Sequence, residues 1–294
     1  MLLRNLDASL LELVRRTSAE LPEDIRRVIN QSLQREKKNS VAWNTLSIIE
    51  KNIQLAKERS LPICQDTGSC LFYVDCPVGL DQIAFAEVAR AAIKEATLKG
   101  YLRQNSVDSL TGKNSGTNLG PGAPVFHFHQ HVSSELKVRL MLKGGGCENV
   151  GQQYSLPMES LKANRDLAGC RKVILDSVLK AQGKGCGPGV LGVCIGGDRA
   201  TSYEHSKEQL LRKLDDTNSN PKLAQLEERI LKEANQMGIG PMGYGGEVTL
   251  LGVKIGALNR LPASYFVSVS YMCWAFRRQG VCLDENGEIQ NWLY

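Results

Sequence analysis

Glycine is gathered into four stretches of this chain, at 112–122, 144–146, 183–197 and 238–246. Glycine permits positive φ and close approach of backbone to backbone or ligand. Loops of this make-up can aim backbone N–H groups at an anion. Any one stretch is most simply turn chemistry. Four of them, each beside an unusual polar residue or a cysteine, point to a site assembled from loops. Nucleotide-binding patterns fit poorly: Gly185-Cys186-Gly187-Pro188-Gly189 lacks the G-x-G-x-x-G spacing, and no Gly-Lys-Ser/Thr occurs.

Regular structure lies between these stretches. Residues 1–60 read as helical, with Leu10, Leu11, Val14 and then Leu21, Ile25, Val28, Ile29 at helical spacing. The signal continues from Thr45 to Arg59 and stops at Ser60-Leu61-Pro62. A turn-like run, Ile63 to Cys70, then enters the apolar segment Leu71-Phe72-Tyr73-Val74, which reads as a strand. Gln82 to Leu98 and Leu167 to Lys180 read as helices, and Val125 to His131 and Lys137 to Leu142 as adjacent strands. The long segment from Gly100 to Pro124 is irregular, and a loop of that length is often functional. His205 to Met237 is a charged helical region broken at Asn220-Pro221. Val248 to Leu258 and Tyr265 to Tyr271 read as strands, and Asn286-Gly287 has hairpin-turn chemistry. No repeat or linker interrupts the pattern. The expected fold is one α+β domain over 1–294, with mixed sheets surrounded by helices.

Several function classes fall away. The net charge of +5 is spread out, with no Lys/Arg run, so nucleic acid is not an expected partner. No stretch approaches the roughly 20 apolar residues of a membrane span, and the first 27 residues lack the apolar centre of a secretory signal. A cytoplasmic protein is expected. The nine cysteines form no C-x-x-C pair, so a metal centre would draw single cysteines from distant segments. Cys170 and Cys194 lie in helical or apolar runs and read as buried hydrophobes. Cys64, Cys186 and Cys273 lie at loop or strand ends, beside Asp66, the glycine stretch, and Trp274 with Arg277. His127, His129 and His131 would share one strand face and could bind zinc; a plain polar face is the simpler reading, because no carboxylate pattern accompanies them.

Five motifs occur in order: Pro62-Ile63-Cys64-Gln65-Asp66-Thr67-Gly68, Lys143-Gly144-Gly145-Gly146, Gly185-Cys186-Gly187-Pro188-Gly189, Gly238-Ile239-Gly240-Pro241-Met242-Gly243 and Cys273-Trp274-Ala275. With them the chain resembles the α subunit of class I fumarate hydratases and L(+)-tartrate dehydratases, and the N-terminal part of single-chain class I fumarases, from about residue 10 to 280. The resemblance implies a [4Fe–4S] cluster held in loops by Cys64, Cys186 and Cys273, with one iron left open to substrate. It also implies Asp66 as proton donor to a leaving hydroxyl, and Gln65, Arg103 and Gly146 as substrate-binding positions. A hydro-lyase acting on fumarate is the expected activity, with tartrate as the alternative substrate. Rivals from other classes are a redox-only iron–sulfur protein, which ordinarily uses four cysteine ligands, and a structural zinc protein using the strand histidines.

Two departures matter. Family members often carry a histidine about a dozen residues before the third cysteine; here that loop reads Leu258-Asn259-Arg260-Leu261-Pro262. Single-chain members continue into a second domain that supplies a Thr, an Arg and a Lys, and by resemblance the base. A separate β subunit is therefore the expected partner, and this chain alone is expected to be an incomplete enzyme.

Overall fold

In the computed structural model, which describes residues 5–294, the chain begins with three helices: α1 (Leu6–Ala19), α2 (Glu23–Arg35) and α3 (Val41–Arg59). Of the helical reading over 1–60, residues 1–4 lie outside the described residues. Next come β1 (Ser69–Pro77), α4 (Gln82–Leu98), β2 (Val125–His131), β3 (Leu136–Lys143), α5 (Gly145–Asn149) and β4 (Gln152–Ser155). The remainder is α6 (Leu167–Ala181), β5 (Gly189–Ile195), α7 (Arg199–Gln209), α8 (Pro221–Asn235), β6 (Leu250–Ala257), β7 (Phe266–Met272), β8 (Arg278–Leu283) and β9 (Ile289–Trp292).

Helix starts follow capping chemistry. Asp81 accepts the Ile83 and Ala84 N–H groups at 3.1 and 2.9 Å, and Asn220 accepts that of Lys222 at 3.0 Å with Pro221 in the first turn. The break read at Asn220-Pro221 is thus the cap of α8. The charged region before it is not one helix. Asp198 caps α7, which ends at Gln209 and gives way to a polar loop.

The chain is α+β and falls into two compact units, each with its own mixed sheet and core. One comprises the residues up to Glu23, Lys51–Gly145 and Arg277–Tyr294. Its five strands run in the order β2-β1-β3-β8-β9, with β1 parallel to β2 and antiparallel to β3. The face carrying Phe72, Val74, Leu140, Leu142 and Val281 packs with Leu10, Leu13 and Val14 of α1 and Phe85, Ala89 and Ile93 of α4. Each of the larger of these side chains (Val, Leu, Ile or Phe), fully buried, contributes about 1.5–3 kcal/mol relative to exposure.

The other unit comprises Asp24–Glu50 and Gly146–Phe276. Its sheet runs β4-β7-β5-β6, with β5 parallel to β6 and antiparallel to β7. Strand β5 is buried along its whole length, which is why it reads as a continuous apolar run rather than an alternating one. Val173, Ile174 and Val178 of α6 and Leu226 and Ile230 of α8 complete this core. The points where the chain leaves one unit for the other lie in α2, in α3, in the glycine run that opens α5 and in the short segment between β7 and β8, so composition carries no linker signal.

Candidate active site

The loop before β1 turns at Gly68, whose φ of 77° lies in the left-handed region. A Cβ there would stand 2.5 Å from the Lys143 carbonyl, so only glycine fits. That approach lays the loop against the end of β3 and the glycine run beyond it. The consequence is a dense hydrogen-bond shell around Asp66, which is half-buried. Its Oδ1 accepts from the Gly68 N–H at 2.8 Å and from Asn105 Nδ2 at 2.9 Å; its Oδ2 accepts from the Gly145 N–H at 2.7 Å. The Arg277 guanidinium, 1% exposed, donates to the Asp66 main-chain carbonyl. A Cβ on Gly144 would come within 3.0 Å of Oδ2, so the glycine keeps that oxygen uncrowded. Lys143 to Gly146 is more than a loop, because its last two glycines begin the short helix α5.

Asp66 opens onto a cavity of about 200 Å³, lined also by Ser69, Cys70, Asn105, Ser106 and the segment 122–125. This is smaller than the roughly 300–1,000 Å³ of drug-sized pockets and suits a small ligand. Arg103 is fixed beside the loop by its backbone: Thr67 Oγ1 accepts its N–H and donates to its carbonyl, both at 2.8 Å. Its guanidinium is exposed and has no ion-pair partner among the described residues. Gln65 is likewise exposed. Gln65, Asp66 and Arg103 are thus brought into one loop cluster of the first unit, while Gly146 begins the second. Asn105, Asn118 and Arg277 were not singled out as site residues. Arg277 was noted only as a neighbour of Cys273, and the two asparagines sit in a 25-residue irregular segment where no periodicity distinguishes one polar residue from another.

The cysteines separate by environment. Cys64 is half-buried, and its sulfur accepts the Asp66 N–H at 3.4 Å. In the second unit, Cys186 (φ 54°) precedes β5 and Cys273 follows β7. These strands are paired Val190 to Met272, and the Trp274 N–H donates to the Cys186 carbonyl at 3.2 Å. Both cysteines therefore stand at one end of that sheet. Gly185 precedes Cys186 and Gly189 opens β5 three residues after it, and a Cβ on either would strike the Tyr271 ring, at 2.5 and 2.2 Å. Burial, with Cys273, Cys147 and Cys186 nearby, pushes the Tyr271 hydroxyl pKa far up. The sequence reading passed over Cys147: it is 3% exposed and its sulfur accepts the Cys273 N–H at 3.2 Å. By contrast, burial pushes the Cys70 thiol up to about 12 and those of Cys170 and Cys194 up to about 11. Such thiols resist ionisation and make poor metal ligands.

Among the described residues, no three His, Cys, Asp or Glu side chains converge on one metal ion. A cubane cluster does not require that, because each cysteine holds a different iron. The residues are chemically of the kind such a group takes: Cys64, on a loop of the first unit, already accepts a backbone N–H of the sort that stabilises cluster sulfurs, and Cys186 and Cys273 stand at strand ends of the second. The strand histidines do share a face. His127 stacks on Tyr73 with ring centroids 4.6 Å apart, and His129 lies 3.5 Å from Asp75, which also pairs with Arg139. That Asp75 accompanies the histidines could not be read along β2, because it sits across from His129 on β1. The loop without a histidine is held by Arg260, whose Nη1 donates to the carbonyls of Leu261, Pro262 and Ser264.

Comparison with known proteins supports the motif reading. A protein of Geobacillus stearothermophilus, provisionally named fumarate hydratase class I, is 55% identical over 290 residues. These cover 97% of this chain and 56% of that protein, so the chain spans little more than half its length. A Methanocaldococcus jannaschii protein, provisionally named L(+)-tartrate dehydratase subunit alpha, is 32% identical over 91% of this chain and 93% of its own. L(+)-tartrate dehydratase subunit alpha of Escherichia coli K12 is 30% identical over 89% of this chain and 85% of its own. The family model described as fumarate hydratase (Fumerase) matches residues 7–282, and the chain belongs to that family.

Proposed function

We propose that this chain is the cluster-carrying part of a class I hydro-lyase that interconverts fumarate and L-malate. The observation that carries this reading is the Asp66 carboxylate. It lies two residues after Cys64, is fixed by three donors, and lines a cavity sized for a small ligand.

Cys64, Cys186 and Cys273 would hold a [4Fe–4S] cluster. Bound there with only three protein ligands, the cluster would supply a Lewis acid for the substrate hydroxyl. The protein's own groups divide the remaining work. Arg103 offers a planar fork that matches a carboxylate in a bidentate pair. Gln65 and the exposed Gly146 backbone add polar contacts. In dehydration, protonated Asp66 passes its proton from Oδ2 to the hydroxyl leaving C2, which departs as water. Asp66 becomes the carboxylate described above, and hydration runs the same step backwards. The base that takes the C3 proton is assigned to a separate β subunit. The Geobacillus relative, much longer than this chain, is consistent with additional sequence being needed. No helix among the described residues is long and apolar enough to cross a membrane; a cytoplasmic location is part of the proposal.

L(+)-tartrate dehydration is the second reading. It is favoured by the two relatives named as α subunits, whose lengths this chain nearly matches. Co-purification with the β partner without oxygen, followed by assay on fumarate and both tartrate enantiomers, tests both. Turnover of fumarate supports the first reading, turnover of tartrate alone the second. Absence of both, with iron and sulfide present, removes the hydro-lyase reading.

A further inference from the structure

The long irregular segment after α4 is not loosely held. Asn118, 5% exposed and with φ 59°, lies within it, and both ends of its amide are used. Oδ1 accepts the backbone N–H groups of Asn105 and Ser106 at 2.8 and 3.2 Å. Nδ2 donates to the Arg103 carbonyl at 2.7 Å and to Thr97 Oγ1, on α4, at 3.0 Å. Thr97 in turn donates to the Ile93 carbonyl, within the same helix. A buried amide satisfied in this way fixes the backbone around it, since leaving any of these groups unpaired costs about 1–3 kcal/mol. The segment 103–106 is therefore held against a regular element, and Asn105 Nδ2 reaches Asp66 from a fixed backbone.

A carboxylate oxygen offers two lone-pair directions in its plane. On Asp66, Oδ1 has both filled, one by the Gly68 N–H and one by Asn105, while Oδ2 has a single donor, the Gly145 N–H. We infer that Asn105 is a positioning residue: it locks the rotation of the Asp66 carboxyl and leaves Oδ2 as the oxygen turned to the reacting group. The inference rests on the role of Asp66 proposed above. Without Asn105 the carboxyl keeps two backbone donors, one on each oxygen. Each oxygen then has one donor and the same remaining acceptor capacity, and the torsion of the group is less tightly held. Misplacement of a reacting group by about 1 Å can cost on the order of a hundredfold in rate.

The test uses the assembled, cluster-loaded enzyme with its β partner. Asn105→Ala, Asn105→Asp and Asn105→Gln are compared with Asp66→Asn, and turnover is expressed per intact cluster. Asn105→Ala is expected to lower kcat about ten- to a hundredfold with KM within about twofold. Asn105→Asp, equal in shape but unable to donate, is expected to lose at least as much. Asn105→Gln, which restores an amide donor, recovers part of the loss. Iron and sulfide content stay at wild-type level throughout. A crystal structure of the Asn105→Ala chain is expected to show the Asp66 carboxyl rotated from the Gly145 N–H. Wild-type kcat per cluster in Asn105→Ala, with Asp66→Asn still disabled, overturns the role of Asn105 and leaves that of Asp66 standing. Loss of cluster with unchanged turnover per remaining cluster overturns it equally, as does a loss in kcat with an unrotated carboxyl. Unimpaired turnover in Asp66→Asn removes the parent reading, and this inference with it.

Discussion

Arg277 donates through Nη1 to the main-chain carbonyl of Asp66 at 2.5 Å, across 211 positions of sequence. The guanidinium is almost fully buried, in the same unit as the aspartate. Hydrogen bonds to charged groups are worth about 1.5–3 kcal/mol. Arg277→Met is expected to lower the unfolding free energy of the isolated chain by about that amount, read by urea denaturation. A change below about 0.5 kcal/mol, the scale of an ordinary surface substitution, would show that this bond does not secure the loop.

Loss of the cluster should follow from Cys64→Ser, Cys186→Ser or Cys273→Ser and not from Cys70→Ser, Cys170→Ser or Cys194→Ser. The latter three thiols are buried and hard to ionise. Iron and sulfide analysis after anaerobic purification reads the outcome directly. A retained cluster in Cys186→Ser would remove Cys186 from the ligand set.

Asp66 and Arg103 should separate kinetically. Asp66→Asn, nearly isosteric, is expected to keep the cluster and lower kcat per cluster by about 10²–10⁴-fold, the usual worth of a positioned acid. Arg103→Lys replaces a fork with a point charge and is expected mainly to raise KM. Steady-state kinetics with the β partner distinguishes them; equal effects on both constants from both variants would contradict the division of roles.

The buried thiols also set an alkaline limit. Cys70, Cys170 and Cys194 titrate in the folded chain near 12, 11 and 11, against a usual value of 9.0. Above pH 9 the unfolded chain loses these protons first, so the folded chain holds more of them. Their contribution is intact below about pH 9 and is lost as pH climbs from 9 through 11 and, for Cys70, toward 12. Denaturation midpoints should fall over that interval, and less steeply in the Cys170→Ala, Cys194→Ala double variant. At pH 8, iodoacetamide should label Cys64 before these three in the cluster-free chain.

Gly68→Ala tests the turn that places Asp66. An alanine there meets both a left-handed φ and a backbone carbon at 2.5 Å. Strained conformations of this kind cost about 1–3 kcal/mol before any clash is counted. Thermal melting should show a clear loss of stability, and a melting temperature within a degree of wild type would argue that the loop relaxes freely.

What sequence could and could not reveal follows the range of each signal. Local periodicity located α4 at Gln82–Leu98 and β2 at Val125–His131, because their patterns lie within a few turns of chain. β8 and β9 escaped it: Arg278 to Leu283 is buried throughout but carries Arg, Gln and Gly, so neither alternation nor an apolar run marks it. Cys64, Asp66 and Arg103 could be proposed from sequence because they stand in or near motifs. Asn105 and Asn118 could not, since the groups they hydrogen-bond lie 39 and 21 positions away.

The strand order β2-β1-β3-β8-β9 has a consequence for biosynthesis. The whole of Gly146–Phe276 is translated before β8 exists, at a pace that occupies on the order of ten seconds. Through that interval β3 presents an unpaired edge, the kind that invites wrong partners, and Asp66 lacks its contact with Arg277. The second unit can close on the ribosome while the first waits. The surroundings of Asp66 are therefore among the last parts of the molecule to form, and the proposed cluster, where it depends on Cys64 in its finished loop, would be inserted after translation has passed Leu283.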